Sequence, residues 1–374
     1  MTTTELKPIP LVDLAAQHAQ VAGEVAEGWA QVLARTAFIG GPQVAEFERE
    51  FAAYVGARHC VGVANGTDAI ELALRALGVG PGDECVLPAN TFIATAEAVA
   101  RTGATPVLVD CVEDTLLIDT EALRTVVTER TRAVLPVHLY GQCAEVEKIV
   151  PIAESVGAVV VEDAAQAQGA RRHGRGAGTL GAIAATSFYP GKNLGAYGDA
   201  GAVVTDDPGM AEAVRLLREH GSPRKYEHPE LGFNSRLDTL QAVVLSAKLR
   251  RLEAWNADRR AAAARYDALL ADLADEVARP VVADGNLPVW HLYVVRVPRR
   301  DEVLAALHEA GIGAGIHYPT PVHRTGAFAH LAATGSFPVA DRTAGQLLSL
   351  PLFPEITEEQ QRRVVRALAG ALAR

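Results

Sequence analysis

One lysine lies in a segment whose residue types suit covalent chemistry. Lys192 occupies a glycine-rich, aromatic stretch, residues 186–201, with the hydroxyl of Ser187 shortly upstream. The chain holds only five lysines among thirty-five basic residues, so arginine supplies most of its positive charge. A desolvated amine can lose its proton and form a Schiff base, which a guanidinium cannot do. Lys192 is therefore a candidate nucleophile; the alternative is a solvated loop lysine.

A candidate acid follows an apolar run upstream of this lysine. Residues 158–161 fit a strand buried on both faces, and Glu162 and Asp163 come directly after it. An ionised aspartate at the end of such a strand can hold a pyridinium N–H and keep the ring an electron sink. The alternative is that Asp163 caps a following helix.

Two further turns have residue types that fit the same chemistry. Gly66 and Thr67 lie where a strand pattern passes into a helix pattern, and backbone N–H groups there suit a phosphate. Phe92, at a similar turn, offers a face on which a flat ring can stack. An ordinary helix cap and a core phenylalanine are the respective alternatives. Together the four features match the needs of pyridoxal 5′-phosphate (PLP).

The elements that position these residues follow an alternating pattern. Seven short apolar runs alternate with helical segments, at residues 60–64, 85–88, 105–109, 133–137, 158–161, 184–188 and 201–204. This alternation predicts an α/β fold with a mostly parallel seven-stranded sheet between helices, and functional groups at the carboxyl ends of the strands. A long helical stretch from residue 237 is typical of a helix that bridges two domains. We place a large PLP-binding domain at residues 1–250 and a smaller C-terminal α+β domain at 251–374.

Composition narrows the class of protein. The net charge is −10, and no cluster of basic residues suggests a nucleic-acid partner. Four widely spaced cysteines and scattered histidines predict neither a disulfide framework nor a metal site. No apolar run has the length of a membrane-spanning helix, and the N-terminus lacks the layout of a signal peptide. We expect a cytoplasmic protein.

The chain closely resembles the PLP-dependent nucleotide-sugar aminotransferases of the DegT type, which have the aspartate-aminotransferase fold. The resemblance covers nearly the whole chain, through motifs at residues 9–14, 38–42, 90–92, 162–169, 187–193, 232–238, 317–319 and 349–351. It implies that Lys192 binds the cofactor covalently, that Asp163 pairs with the pyridine nitrogen and that Gln166 contacts the ring hydroxyl.

The resemblance also implies how the rest of the cofactor is held. Phe92 would stack on the ring, and Gly66, Thr67 and Ser187 would bind the phosphate. Asn234 of the partner subunit would join them, which implies a homodimer with shared active sites. Some relatives that dehydrate sugars have histidine where this chain has Lys192, so the lysine favours amino transfer.

The polar segment 220–228 and the motif at 317–319 bear on the substrate. Arg224 and Lys225 could bind the diphosphate of a nucleotide sugar, although a solvated basic turn is an equal alternative. Tyr226, His317 and Tyr318 are further candidates for substrate binding. The sequence around residues 225–238 resembles the subgroup that aminates C-3 of TDP-3-keto-6-deoxyhexoses, with L-glutamate as the expected amino donor. A C-4 aminotransferase and a non-catalytic PLP-binding regulator are the rivals.

Overall fold

The computed structural model describes residues 7–374, and a seven-stranded sheet forms the centre of its larger part. The strands among these residues are β1 (His59–Val63), β2 (Glu84–Pro88), β3 (Thr105–Val109), β4 (Thr131–Val134), β5 (Val159–Asp163), β6 (Arg171–Arg172), β7 (Arg175–Gly176), β8 (Ile183–Ser187), β9 (Gly201–Thr205), β10 (Asn286–Leu287), β11 (Tyr293–Arg296) and β12 (Leu347–Leu350). The large sheet has the order β1-β9-β8-β5-β4-β2-β3. Only β9 runs antiparallel to its neighbours, which confirms the mostly parallel sheet expected from the seven apolar runs.

Helices cover both faces of this sheet and extend beyond it. They are α1 (Leu14–Arg35), α2 (Pro42–Val55), α3 (Gly66–Ala76), α4 (Ile93–Thr102), α5 (Thr120–Val126), α6 (Val146–Glu154), α7 (Pro208–Arg218), α8 (Thr239–Leu269), α9 (Arg300–Glu309), α10 (Pro338–Ala344) and α11 (Glu358–Leu372). Helix α11 begins with a capping box, in which Thr357 and Gln360 bond each other's backbone. None of the helices among residues 7–374 combines the length and the apolar character needed to cross a bilayer.

The 31-residue helix α8 connects the sheet to the C-terminal part of the chain. Its first half packs with α2 and β9, whereas Ala262, Ala263 and Tyr266 join a separate core with β11, β12, α9 and α11. The start of the described chain belongs to that second core, because the backbone of Ile9 bonds Gly311 and Gly313. Helix α8 passes residue 250 without a break, and the domain boundary there stays a prediction.

Parallel strands end at the same edge, so their following turns meet. Strands β1, β5 and β8 end at Val63, Asp163 and Ser187, and β9 begins at this edge with Gly201. The close packing of the turns explains one glycine: a Cβ on Gly201 would lie 2.4 Å from the carbonyl oxygen of Asn65. The edge therefore brings together segments that are far apart in sequence.

Candidate active site

Lys192 lies in the loop between β8 and β9, residues 188–200. The loop is a tight turn in which the Lys192 N–H donates to the Tyr189 carbonyl oxygen over 2.8 Å. Burial lowers the pKa of Lys192 to about 8, and the negative charge of Asp163 opposes that effect. A solvated loop lysine would keep its ordinary pKa, so the structure favours the reactive-amine interpretation.

Asp163 ends β5 as a buried carboxylate with a defined orientation. Its Oδ1 accepts the Ala165 N–H over 3.1 Å, and its Oδ2 accepts the Thr95 hydroxyl over 2.8 Å. Turns rather than a helix follow the strand, so the alternative of a helix cap is wrong. Because Thr95 has only one hydroxyl proton and donates it to Asp163, the Thr91 hydroxyl, 2.8 Å away, donates to Thr95.

The turn after β1 leaves backbone donors available at the start of α3. The Asn65 side chain caps this helix by accepting the Asp68 N–H over 2.8 Å, so neither Thr67 nor Asp68 is the cap. Gly66 faces Ser187 so closely that a Cβ on the glycine would lie 2.6 Å from the Ser187 Cβ. Glycine thus allows the N-terminus of α3 to approach Ser187 closely, and a helix N-terminus with a hydroxyl beside it suits a phosphate.

Two aromatic rings and an amide lie on another side of the site. Phe92 is 51% exposed, so the alternative of a core phenylalanine is wrong. Its ring centroid is 5.1 Å from that of Tyr318. Gln166 donates to the Tyr318 hydroxyl over 2.9 Å and accepts the Tyr140 N–H over 2.7 Å, which fixes its amide. Burial raises the pKa of the Tyr318 phenol, and the charge of Asp163 adds to that effect.

Two histidines near Lys192 are held neutral. Burial and the charge of Lys192 lower the pKa of His317 to about 4, and burial lowers the pKa of His291 well below its ordinary value. His317 contacts the Ser349 hydroxyl through Nδ1 at 2.8 Å, whereas His291 donates from Nδ1 to the side-chain oxygen of Asn193 at 3.2 Å. At neutral pH neither ring adds positive charge to the site.

The exposed loop after α7 holds the remaining candidates, and within one chain it does not bring them to Lys192. The Arg224 side chain is 80% exposed and has Glu227 as its acidic neighbour at 4.0 Å. Lys225 lies over the ring of Tyr226, which is itself 83% exposed. Asn234 is also exposed, between Phe233, whose ring lies under the Arg75 guanidinium, and Ser235, whose hydroxyl bonds Asp68.

Several contributors to the site were missed by sequence reasoning. Thr95 was identifiable in principle, because hydroxyls four residues apart, at 91 and 95, face one side of a helix start. Tyr140 and His291 had no such signal. The Tyr140 backbone adopts a left-handed conformation with φ 58°, and its hydroxyl donates to the carbonyl oxygen of His317.

The donor set fits PLP. It offers an amine of lowered pKa, a buried carboxylate oriented by hydroxyl and N–H donors, an accessible aromatic face, and a helix N-terminus with a hydroxyl beside it. When bound, PLP supplies an aldehyde for the amine and a ring that withdraws electrons from the reacting carbon.

Comparisons with known proteins agree with this fit. The model of the DegT/DnrJ/EryC1/StrS aminotransferase family matches residues 20–369. The dTDP-3-amino-3,4,6-trideoxy-alpha-D-glucose transaminase of Streptomyces venezuelae is 47% identical over 97% of this chain and 96% of its own. A protein of Geobacillus stearothermophilus named pleiotropic regulatory protein is also 47% identical, over 96% of this chain and 98% of its own.

A solved structure agrees over the whole fold. The crystal structure of S. venezuelae DesV in complex with a ketimine intermediate has a TM-score of 0.96 and 47% identity, and the match covers 99% of this chain and all of that one. The seven-stranded sheet and its helices thus correspond to an aminotransferase fold. The chain belongs to the DegT/DnrJ/EryC1/StrS aminotransferase family, whose enzymes depend on PLP.

Proposed function

We propose that this protein transfers an amino group from L-glutamate to C-3 of a TDP-linked keto-deoxyhexose. The observation that carries the proposal is an amine of lowered pKa, Lys192, close enough to the buried carboxylate of Asp163 for its charge to act on the amine. The choice of C-3 is supported by relatives of 47% and 49% identity that are named as dTDP-3-amino-sugar transaminases. None of the observations favours C-4.

The proposed residue roles are those that the family resemblance implies, and the geometry of the site supports them. Lys192 binds the cofactor covalently and, once displaced by the amino donor, moves a proton at the reacting carbon. Asp163 keeps the ring nitrogen protonated, and Gln166 contacts the ring hydroxyl. Phe92 covers one face of the ring. Gly66, Thr67 and Ser187 hold the phosphate at the start of α3.

We place the sugar nucleotide between the second core and the exposed cations of the loop after α7, with the diphosphate at those cations. Arg224 and Lys225 bind the diphosphate. Among residues 7–374 neither side chain is held in a close ion pair, so both charges are available to a ligand. Tyr226, His317 and Tyr318 contact the substrate. A neutral His317 suits this role, because an imidazole without charge can donate or accept a hydrogen bond from a sugar hydroxyl.

A homodimer completes each active site. Asn234 is exposed while its neighbours Phe233 and Ser235 are anchored to α3, so the loop presents it at a fixed place on the surface. Nearby, Phe38 and Ile39 are 43% and 54% exposed and hydrogen-bond to residues 238–239, which makes this face partly apolar. We place Asn234 against the phosphate in the partner's site.

The first experiment is borohydride reduction of the purified, yellow protein followed by peptide mapping. The label should lie on Lys192, and Lys192→Ala should lose transamination while still binding some cofactor through the phosphate. A label on Lys225 or Lys248 would refute the assignment. NMR of the product formed with glutamate and a TDP-3-keto sugar then decides between C-3 and C-4.

A mixing experiment tests the shared site. Asn234→Asp should be nearly inactive, because a carboxylate beside the phosphate dianion is repelled, and Lys192→Ala should be inactive as well. Refolding an equal mixture gives about half heterodimers, in which one of two sites is intact, so about a quarter of all sites recover. Heterodimers seen by native mass spectrometry but without activity would contradict the exchange of Asn234.

A non-catalytic regulator is the second candidate, because one relative of equal identity is named as a regulatory protein. Such a protein would bind PLP and show no turnover. Conversion of the bound cofactor by glutamate, followed by its return on addition of a TDP-keto sugar, would exclude that role for this chain.

A further inference from the structure

Side chains on one face of helix α8 form hydrogen bonds with the loop that carries Lys192. Gln241 accepts the Tyr197 N–H over 2.8 Å, Lys248 donates to the Gly195 carbonyl oxygen over 2.7 Å, and Asn256 accepts the Asn193 amide over 2.9 Å. These three side chains are seven and eight residues apart, about two helical turns each, so they form a stripe along one side of α8.

Lys248 is the unexpected member of this stripe. Its side chain is 2% exposed, and within residues 7–374 no carboxylate forms an ion pair with it. Its other neighbours are the side-chain oxygen of Gln17 at 3.4 Å and the ring of Tyr197 at 4.7 Å. Burial lowers its pKa to about 8, which means that the fold holds a cation at a cost in free energy.

The carbonyl that Lys248 contacts belongs to a tightly folded part of the loop. A Cβ on Gly195 would lie 2.3 Å from the Pro190 carbonyl oxygen, so these two backbone segments touch. Pro190 and Lys192 lie in the same turn, closed by the hydrogen bond from Lys192 to Tyr189. The position of Gly195 therefore constrains the turn that presents the reactive amine.

We propose that Lys248 is a positioning residue for Lys192, acting through its hydrogen bond to the Gly195 carbonyl. Gln241 and Asn256 hold the loop on either side of that contact. A buried lysine without an ion pair contributes little to folding, and methionine of similar length would fill its place without the desolvation cost. The inference rests on the proposed role of Lys192.

The test uses Lys248→Met in the holoenzyme, with two readouts other than turnover. Hydroxylamine should remove the cofactor about tenfold faster than from the wild type, since a small misplacement of a reactive group has large kinetic effects. The pH midpoint of the visible absorbance of the cofactor should also shift. The melting temperature should change by no more than a few degrees. Lys248→Arg, which keeps a charged donor, should restore both readouts in part.

Tyr266→Phe is the matched control. It removes a buried hydrogen bond of α8 to the Pro351 carbonyl oxygen, in the second core and away from the loop. It should alter stability but neither cofactor readout. Where Lys248→Met fails to fold, Gln241→Ala, which removes the neighbouring contact to Tyr197, is measured in its place.

The outcomes separate the inference from the proposed function. Unchanged cofactor readouts in Lys248→Met, with the borohydride label on Lys192, would overturn the positioning role and leave the function intact. Equal effects of Lys248→Met and Tyr266→Phe would overturn it as well, since they would reflect general loss of stability. A label on another lysine would instead refute the assignment of Lys192 itself.

Discussion

The depressed pKa of Lys192 leads to a quantitative prediction about the apoenzyme. Burial lowers this pKa from the ordinary 10.5 to about 8. At pH 7 about a tenth of the amine is then neutral, against roughly 0.03% for an ordinary lysine, a ratio of about 300. Lys192 should therefore react with an amine-directed reagent far faster at pH 7 than its ordinary basicity allows.

Replacing Asp163 by asparagine changes this titration in a defined direction. The carboxylate favours the protonated amine, because opposite charges attract, and it raises the pKa of Lys192 against the effect of burial. Asp163→Asn removes that charge, so the midpoint should fall below the wild-type value and the reactivity of Lys192 at pH 7 should rise. Asp199→Asn is the control, since this exposed carboxylate lies in the same loop and solvent screens its charge.

Competitive labelling with acetic anhydride from pH 6 to 11, read by peptide mass spectrometry, measures the midpoint. Only five lysines need to be resolved, and the exposed Lys148 and Lys225 provide internal references for the reagent. A wild-type midpoint near 10.5 would refute the account of a desolvated amine. An unchanged or higher midpoint in Asp163→Asn would show that Asp163 does not act on Lys192 through its charge.

Three further changes test other parts of the site. In the holoenzyme, Asp163→Asn should slow turnover at least about a hundredfold, some 3 kcal/mol in barrier, and near-normal turnover with full PLP would exclude its role at the ring nitrogen. Thr95→Val removes one donor to Asp163 and should lower kcat about ten- to a hundredfold, since a hydrogen bond to a charged group contributes about 1.5–3 kcal/mol. Thr95→Ser should stay close to wild type, and equal loss in both variants would contradict this. Gly66→Ala should weaken PLP binding at least tenfold in a fluorescence titration, about 1.4 kcal/mol, because the added Cβ would collide with Ser187. The control Gly80→Ala, where a Cβ would have open space around it, should bind PLP normally.

The stability of the fold should depend on a buried acid next to Asp163. Glu162 is fully buried, accepts the N–H groups of Leu180 and Gly181 over 2.7 Å each, and bonds His138. Burial would raise the pKa of Glu162, but these hydrogen bonds outweigh burial and the pKa is lowered. The stability that Glu162 contributes is therefore present at neutral pH and is lost as the pH falls below the ordinary carboxyl range. Glu162→Gln should cost about 3 kcal/mol in urea unfolding at pH 7, and a smaller cost at pH 7 than at pH 4 would contradict this sign.

The sequence determined the elements and the edge at which they meet. Apolar runs of strand length between helix patterns are local signals, and all seven correspond to strands of the large sheet. Because parallel strands end at one edge, the positions of Gly66, Phe92, Asp163 and Ser187 at or just after the ends of their strands already predicted that they converge. The lysine could be singled out because its residue type is rare in this chain.

Only the tertiary structure decided the hydrogen-bond partners and the desolvation of those residues. The lowered pKa of Lys192, the hydroxyl that orients Asp163 and the buried cation of Lys248 depend on contacts between segments 29 to 68 residues apart. It also showed that Asn65 caps α3 and that no helix follows Asp163, which local patterns left open. The periodicity of apolar residues indicates which face of a helix or strand is buried. Hydrogen-bond partners and desolvation depend instead on which side chains pack against that face. A single sequence holds no local signal for which side chains these are.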